Sequence, residues 1–226
     1  GKDMAVDFSI INLNEFNESE YGDDNEFNES EYGDDNEFNE SEYGDDIESI
    51  ISDFTCPKNS DVEKFLHKSA MEFTKKKQSV TYLVLSSDDG SLLGYFSLAV
   101  KPITIEIGNN ATDISKTMRR KIERVSKFDE MRNCYVLSAY LIAQLGKNFS
   151  DNANQKITGS QLLQLAVNQI KEVQGLIGGM VIFLEAERTD KLLKFYISDN
   201  GFVEFGSRYT ENKDDPHELV QMLKVI

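Results

Sequence analysis

A strand, a polar loop and a helix follow one another in residues 134–174 and form the stretch best suited to bind an anion. "CYVLSAYLIAQL" (134–145) is an apolar run typical of a buried strand, and "GSQLLQLAVNQIKEVQ" (159–174) has helical apolar spacing. The loop leads into the first turn of that helix, where free N–H groups and the helix dipole attract negative charge. Lys156 lies beside those donors, and Gly159 allows close approach of a ligand. The pattern predicts an anion site, although an ordinary strand–loop–helix connection has the same pattern.

A second segment, "FYISDNGF" (195–202), places an ionisable aromatic side chain near the end of the chain. Phe195 and Tyr196 fit as packing aromatics of a short helix predicted at 190–197.

Other ionisable groups give weaker predictions. Glu185 and Glu187 end a predicted strand and are candidate bases, although such residues are commonly just solvated. The two cysteines and two histidines have no spacing that would form a disulfide framework, a nucleophile or a metal site. These four residues are Cys56, Cys134, His67 and His217. We therefore expect no metal, a reducing cytoplasmic setting and, because no apolar run reaches 18 residues, no membrane span.

An acidic repeat dominates the charge of the chain. "NEFNESEYGDD" occurs three times without change, at 14–24, 25–35 and 36–46, and carries fifteen of the 40 acidic residues but no Lys or Arg. The other 193 residues are almost neutral, so the net charge of −16 does not describe them. We predict one domain over 4–226 with the repeat, 14–46, inserted into it as short pieces broken at each Gly-Asp-Asp. The repeat is either a solvated loop without function or an acidic arm that attracts a cationic partner or covers a basic helix.

The remaining elements alternate between strands and helices. Ser60 and Glu63 predict a capping box, "DDGS" predicts a hairpin, and Gly175 predicts a helix end. The helix at 113–129 is the only strongly basic stretch. Predicted strands are 7–16, 80–87, 92–105, 134–145, 179–187, 201–209 and 218–226, and predicted helices are 47–54, 60–77, 113–129, 159–174 and 190–197. This order, with its hairpin, predicts a mixed α/β sheet.

Both chemically suggestive segments resemble signatures of the GCN5-related N-acetyltransferase (GNAT) superfamily, and the likeness extends over nearly the whole chain apart from the repeat. The family's phosphate loop is approximately Q/R-x-x-G-x-G/A, and "NQKITGSQLL" fits it with Gly159 at the last glycine. Lys156 takes a basic position, and Ile157 replaces the middle glycine. "FYISDNGF" resembles the family's F-Y-x-x-x-G-F, with one extra residue between Tyr196 and Gly201.

The sequence is most similar to the branch that contains the acetyltransferase toxins of bacterial toxin–antitoxin pairs. "FTCPKNSDVEKFL", "VTYLVL" and "LLGYFSL" match patterns of that branch, and "YLIAQL" looks like part of its fourth strand, residues 135–147. The resemblance implies a GNAT-type mixed, mostly antiparallel central sheet. Helices would flank this sheet, and its fourth and fifth strands would splay apart.

The resemblance also implies acetyl-CoA as cosubstrate, with its pantetheine paired to the fourth strand like an added strand. The backbone positions expected to pair with pantetheine are Ala143, Leu145 and Lys147. The residues expected around the pyrophosphate are Lys156, Ile157, Thr158, Gly159 and Ser160. Tyr196 takes the place of the general acid that protonates the departing thiolate. Thr189 stands where many relatives have a CoA-contacting Asn, but here it is predicted to cap a helix.

The implied function is direct acetyl transfer from acetyl-CoA to a primary amine. Aminoacyl-tRNA, a protein lysine or N-terminus, a polyamine and an aminoglycoside all stay open as acceptors. The alternative is a catalytically inactive GNAT-fold binding or regulatory protein. A tRNA or an antitoxin protein is the candidate partner, and the protein is expected to be a monomer or a homodimer.

Overall fold

The computed structural model describes residues 7–20, 40–107 and 114–226. The chain divides into two compact units, one made of Gly1–Ser97 and Leu145–Thr158, the other of Leu98–Gln144 and Gly159–Ile226. Each unit has its own apolar core. The first core includes Phe54, Leu66 and Tyr95, and the second includes Phe183 and Leu223.

The described residues contain eight strands in one sheet, which is mixed and mostly antiparallel as the resemblance implied. They are β1 (Phe8–Asn12), β2 (Val80–Ser86), β3 (Leu92–Glu106), β4 (Ser126–Asp129), β5 (Cys134–Lys147), β6 (Val181–Glu187), β7 (Val203–Tyr209) and β8 (Glu218–Val225). Their order is β1-β2-β3-β5-β6-β8-β7, and β4 pairs with β5 outside this path. The pairs β1–β2, β4–β5, β6–β8 and β7–β8 are antiparallel, whereas β5–β6 is parallel.

Helices flank this sheet. They are α1 (Glu40–Ser52), α2 (Ser60–Lys68), α3 (Ala70–Lys75), α4 (Lys116–Glu123), α5 (Gly159–Ile177) and α6 (Asp190–Leu193). Leu13–Glu20 and Ser150–Gln155 form 3-10 helices, and Lys194–Asp199 forms a π-helix directly after α6. None of the helices described is long and apolar enough to cross a membrane.

The splay predicted from the resemblance is confirmed at β5 and β6. Among the described residues, these strands pair only at Tyr140↔Ile182 and Leu141↔Phe183. Beyond these pairs β6 stays paired with β8 as far as Glu187. The two strands therefore separate after Leu141 and Phe183, which leaves a place for an added extended chain.

Two predicted helices are divided differently in the structure. The helix predicted at 60–77 is two helices, because Ser69 leaves the helical conformation between α2 and α3. The predicted capping box is also wrong, since Asn59 caps α2 by accepting from the N–H groups of Asp61 and Val62. The Glu63 carboxylate instead accepts from the N–H of Cys56.

The basic helix predicted at 113–129 ends earlier than expected. Ser115 caps α4 by accepting from the N–H of Met118, and the helix ends at Glu123. Residues 126–129 instead form β4, because they pair with Cys134–Leu137 across a tight turn in which Asn133 has a positive φ of 52°. The apolar spacing of residues 113–129 could not predict this strand, because it forms by pairing with residues 134–137, which lie outside that stretch.

The end of α5 also differs from the prediction. Gly175 lies inside the helix, and α5 continues to Ile177. The helix ends where Gly178, with a φ of +79°, donates its N–H to the carbonyl of Gln174 at 2.8 Å. A left-handed residue is the usual helix C-terminal signal, and here the second of three nearby glycines supplies it.

The two described ends of the acidic repeat belong to the structured part of the first unit, while residues 21–39 lie outside the described residues. Phe16 of the first copy packs against the core, and Leu13 and Ile47 on either side of the tract are buried. The Gly-Asp-Asp of the third copy lies inside α1, so the break predicted there is wrong. The ends of the repeat therefore contribute to the fold, and we expect that only its middle can be removed without loss of stability.

Removing residues 18–39 joins "NEFN" to "ESEYGDD" and leaves one intact copy. We expect this variant to unfold cooperatively within a few degrees of the parent in a thermal scan, because it keeps Phe16 and the sequence of α1. Removing 14–46 discards Phe16 and seven residues of α1. That variant should lose about 2–4 kcal/mol of unfolding free energy, which lowers the Tm by roughly 5–15 °C. Equal melting of the two variants would contradict a structural role for the repeat ends.

Candidate active site

The first turn of α5 packs directly against the segment that carries Tyr196. A Cβ atom added to Gly159 would lie 3.1 Å from Cε2 and 3.2 Å from Cζ of Phe195. These distances are tighter than ordinary van der Waals contact, so the glycine allows the aromatic ring to approach the helix. The two segments singled out in the sequence therefore meet within the second unit.

Asn200 connects the same two segments through its side-chain amide. Its Nδ2 donates to the carbonyl of Phe195 at 2.8 Å and to Oγ of Ser160 at 3.2 Å. On the other side, the carbonyl of Asn200 accepts from Nζ of Lys224 at 2.9 Å. Nothing in the sequence pattern singled out Asn200.

The extra residue between Tyr196 and Gly201 is accommodated by the π-helix. A π-helical turn holds more residues than an α-helical turn, so one residue can be added without displacing the next part of the chain. The segment then closes with the N–H of Phe202 donating to the carbonyl of Tyr196 at 3.0 Å. Gly201 has a φ of +75°, which a glycine adopts readily. Phe202 is buried, so the end of the segment is anchored in the second unit.

Tyr196 lies half-buried in an aromatic cluster. Its ring is 4.9 Å from that of Phe195 and 5.9 Å from that of Phe202, both with edge-on geometry. Burial raises the pKa of Tyr196 to about 12. The hydroxyl is therefore protonated at neutral pH, and no residue in the described part of the chain accepts its hydrogen bond. It is an available donor.

The loop that precedes α5 is held from within the first unit. The side chain of Ile157 is buried and anchors the loop. Nζ of Lys147 donates to the carbonyls of Asn154 and Ile157, at 3.2 and 3.4 Å. Lys147 thus fixes the loop by its side chain, in addition to the backbone role predicted for it.

Lys156 has an anionic neighbour in the first unit. Its Nζ lies 2.8 Å from Oδ2 of Asp89 and 3.4 Å from Oγ of Ser91, both in the β2–β3 turn. The hydrogen bond from Lys156, with those from Ser91, holds the pKa of Asp89 well below its usual range. Both ends of the ion pair are about half exposed, so it exchanges readily with solvent. Lys156, the cation that was predicted to bind a phosphate, therefore forms an ion pair with a carboxylate in this structure.

The other predicted positions fall in two places. Ala143 is exposed on the splayed part of β5 in the second unit, where Ser160 also lies in the first turn of α5. Leu145 is half-buried near the end of β5 and Thr158 is exposed at the end of the loop, both in the first unit.

Glu185 is poorly suited to act as a base. Its carboxylate accepts two hydrogen bonds from Arg208, at 2.6 and 2.9 Å, and one from Gln221 at 3.2 Å. Burial alone would raise the pKa of Glu185, but these hydrogen bonds and the charges of Arg208 and Lys101 outweigh burial and lower it. A carboxylate with a lowered pKa and three donors is a weak proton acceptor.

Glu187 and Thr189 come next, at the end of β6. Glu187 is exposed, and its Oε1 lies 3.4 Å from Nε2 of His217. It remains a candidate base. Oγ1 of Thr189 accepts from the N–H of Leu192 at 3.3 Å, which confirms the predicted cap of α6. Among the residues that the structure describes, no group of His, Cys, Asp and Glu is arranged to hold a metal ion.

Solved structures share this architecture although the sequence comparisons find nothing. No protein-family model matches the chain, and no curated protein does. AtaT complexed with acetyl-methionyl-tRNAfMet is similar with a TM-score of 0.54 at 14% identity, over 95% of this chain and 94% of AtaT. A mutant of the AtaT toxin gives 0.52 at 16% identity, over 77% and 82%. A mutant of KacT gives 0.52 at 20%, over 77% and 86%. The chain has the fold of the GNAT-type toxins.

With this GNAT fold established, the family's fourth and fifth strands correspond to β5 and β6. The short β4 precedes them as an added hairpin strand. The phosphate site at the first turn of α5 and the role of Tyr196 stay predictions from the resemblance. Asn200 and Asp89 are contacts that sequence reasoning missed, because each acts on a residue far away in the chain. For Asn200, the sequence offered one signal, the polar "SDN" (198–200) that makes the segment after Tyr196 one residue longer than the family's pattern.

Proposed function

We propose that this protein is an acetyl-CoA-dependent N-acetyltransferase that acetylates the amino group of an aminoacyl-tRNA. The observation that carries the proposal is the pairing of two features in one GNAT fold. β5 and β6 separate after Leu141 and Phe183, and the first turn of α5 packs beside the Tyr196 segment. An extended pantetheine fits the first feature, and a pyrophosphate with a nearby proton donor fits the second.

Acetyl transfer in this arrangement needs three contributions from the protein. The first turn of α5, which begins at Gly159, is the positive end of a helix dipole and suits a pyrophosphate. The backbone of β5 beyond its last pair with β6, at residues such as Ala143, holds the thioester. A backbone N–H there stabilises the oxyanion formed by amine attack, an effect of roughly 3–4 kcal/mol for one well-placed donor. Tyr196 supplies a hydrogen-bond donor to the sulfur as the C–S bond breaks.

The high pKa of Tyr196 decides how it acts. A pKa of about 12 lies well above that of a free thiol, near 8.5, so full proton transfer to a thiolate is uphill by roughly 5 kcal/mol. The tyrosine therefore donates a hydrogen bond as charge develops on sulfur. The neutral amine attacks, and its nitrogen, which carries a positive charge after attack, gives up a proton as the C–S bond breaks. The net proton therefore moves from the amine to the CoA thiol, and the tyrosine ends protonated as it began.

A basic face on α4 and β4 supports an RNA acceptor. It is the exposed row of cations Lys116, Arg119, Arg120, Lys121, Arg124 and Lys127. In the described part of the chain only Arg119 of this row has a carboxylate within ion-pair distance, Glu123 at 3.6 Å. Beside the row, Phe128 is 41% exposed and can stack on a base. Unpaired cations beside an exposed aromatic ring suit a nucleic-acid backbone.

The test measures binding and turnover in one preparation. Acetyl-CoA should bind in a calorimetric titration. Release of free CoA thiol should then accompany addition of methionyl-tRNA, with much less from deacylated tRNA, a polyamine, an aminoglycoside or a lysine peptide. Mass spectrometry of the released amino acid should find one added acetyl group. Thiol release with a different acceptor would overturn the tRNA assignment but keep the enzyme class.

An inactive GNAT-fold binding protein is the second candidate. The replacement of the family's middle glycine by Ile157 favours it, because that substitution alters the phosphate loop. Acetyl-CoA binding without thiol release from any acceptor would establish this candidate instead.

Asp89 competes with acetyl-CoA for Lys156 under the proposed function. Asp89→Asn removes a negative charge next to the phosphate loop and should tighten acetyl-CoA binding about threefold.

Lys156→Glu places a negative charge in the phosphate loop itself and should weaken acetyl-CoA binding at least tenfold, about 1.4 kcal/mol. Isothermal titration at low and at physiological salt measures both. Asp88→Asn, in the same turn, is the matched control and should bind like the parent. Weaker binding by Asp89→Asn would mean that the carboxylate holds Lys156 in place.

A further inference from the structure

The side chain of Asn200 joins the two segments to which the proposed function assigns phosphate binding and proton donation. One hydrogen bond goes to the carbonyl of Phe195, the residue before Tyr196, and the other to Oγ of Ser160 in the first turn of α5. A single amide thus links the backbone next to the general acid with the helix end that receives the pyrophosphate.

Further contacts hold Asn200 itself in place. Nζ of Lys224 on β8 donates to the Asn200 carbonyl at 2.9 Å. The same Nζ lies 5.8 Å from the ring centre of Phe202. Asn200 is therefore fixed to the sheet on one side and to the Tyr196 segment on the other.

The π-helix explains why such a tie is needed. In a π-helix each backbone hydrogen bond spans five residues instead of the four of an α-helix. Such turns are rare, because α-helical bonding competes with them. If Lys194–Asp199 relaxed by one residue into α-helical register, the ring of Tyr196 would rotate by about 100° around the helix axis. The bond from Asn200 to the Phe195 carbonyl holds that carbonyl outside the α-helical pattern and opposes this rotation.

We infer that Asn200 is a positioning residue, which holds Tyr196 in its donor position and ties that position to the first turn of α5. The inference rests on the proposed function, since it gives Tyr196 a reaction in which to act. Because Ser160 belongs to the phosphate-binding turn, a bound pyrophosphate that orders this turn also strengthens the tie. Acetyl-CoA binding would then fix the proton donor before the amine attacks.

The experiment compares Asn200→Ala in two backgrounds. In the parent protein, Asn200→Ala should lower kcat about tenfold and leave the acetyl-CoA Kd within about threefold. In a Tyr196→Phe background, the same substitution should lower kcat less than twofold further, because no hydroxyl remains to be positioned. A tenfold loss in both backgrounds would overturn the inference, since it would mean that Asn200 supports the fold or the binding of CoA.

Two more variants keep the result interpretable. Asn200→Asp has the same size but cannot donate to the Phe195 carbonyl, so it should behave like Asn200→Ala even if the alanine variant folds poorly. Asn212→Ala removes an exposed Asn side chain between β7 and β8, which accepts from the N–H of Asp214, and should keep the parent kcat. Full activity of Asn200→Asp would overturn the inference.

Failure of the inference differs from failure of the proposed function. If the parent protein releases no thiol with any acceptor, or if Tyr196→Phe retains full turnover, the proposed chemistry fails and the inference falls with it. If Tyr196→Phe is slow and Asn200→Ala is additive with it, the chemistry stands and only the positioning role fails.

Discussion

Tyr196→Phe should lower kcat for acetyl transfer by about 10²–10⁴-fold while the acetyl-CoA Kd changes little. The substitution keeps the ring, and with it the edge-on contacts with Phe195 and Phe202. It removes only a hydroxyl that donates to no described residue, so the fold loses no hydrogen bond. Thiol release and calorimetric binding, measured on the same preparation, separate the loss of chemistry from the loss of binding.

The matched control is Tyr209→Phe, which removes the hydroxyl of a tyrosine that is 67% exposed on β7. It should turn over at the parent rate. With the parent protein, kcat should rise as the acceptor amine deprotonates and then stay level to about pH 10, because the pKa of Tyr196 is raised to about 12. A falling limb near pH 8 that disappears in Tyr196→Phe would contradict this pKa. If Tyr196→Phe loses both turnover and acetyl-CoA binding, the role of Tyr196 is packing and not proton donation.

The features of the site that could be predicted from sequence are those fixed by local backbone requirements. Gly159 begins a helix, and the F-Y signature covers one short helical segment. Each therefore depends only on residues close by in the sequence. The splay could be anticipated only through the resemblance, because apolar runs in β5 and β6 contain no information about where their pairing stops. Thr189 was predictable because a cap acts within its own helix turn.

The features that the sequence could not reveal depend on contacts between distant positions. Asp89 meets Lys156 across 67 residues, and Asn200 meets Ser160 across 40, so no periodicity relates them. Residues 126–129 fall within the helix predicted at 113–129, yet pairing with β5 makes them a strand, since tertiary contacts override local propensity. The extra residue after Tyr196 was visible in the sequence, but its accommodation by a π-helix required the structure.

Reversing the charge of the basic face should abolish most activity toward tRNA without touching the chemistry. In Arg120→Glu/Lys121→Glu/Arg124→Glu, all three side chains are exposed, so the fold should remain. We expect kcat/KM for methionyl-tRNA to fall at least 100-fold, while kcat/KM for a small amine such as methionine amide stays within twofold. Three lost phosphate contacts should also flatten the dependence of log affinity on log salt by about 2–3 units.

The control must carry the same change in net charge on another surface. Lys64→Glu/Lys68→Glu/Lys171→Glu does so with exposed lysines of α2 and α5. This control should lose no more than about threefold toward methionyl-tRNA, the effect of weaker long-range attraction. If both triple variants lose tRNA activity equally, net charge alone governs the encounter. If the basic-face variant keeps its activity, the acceptor docks on a different surface. A loss confined to the basic-face variant and to the RNA acceptor would locate tRNA on α4 and β4, because only a polyanion depends on cations that take no part in the chemistry.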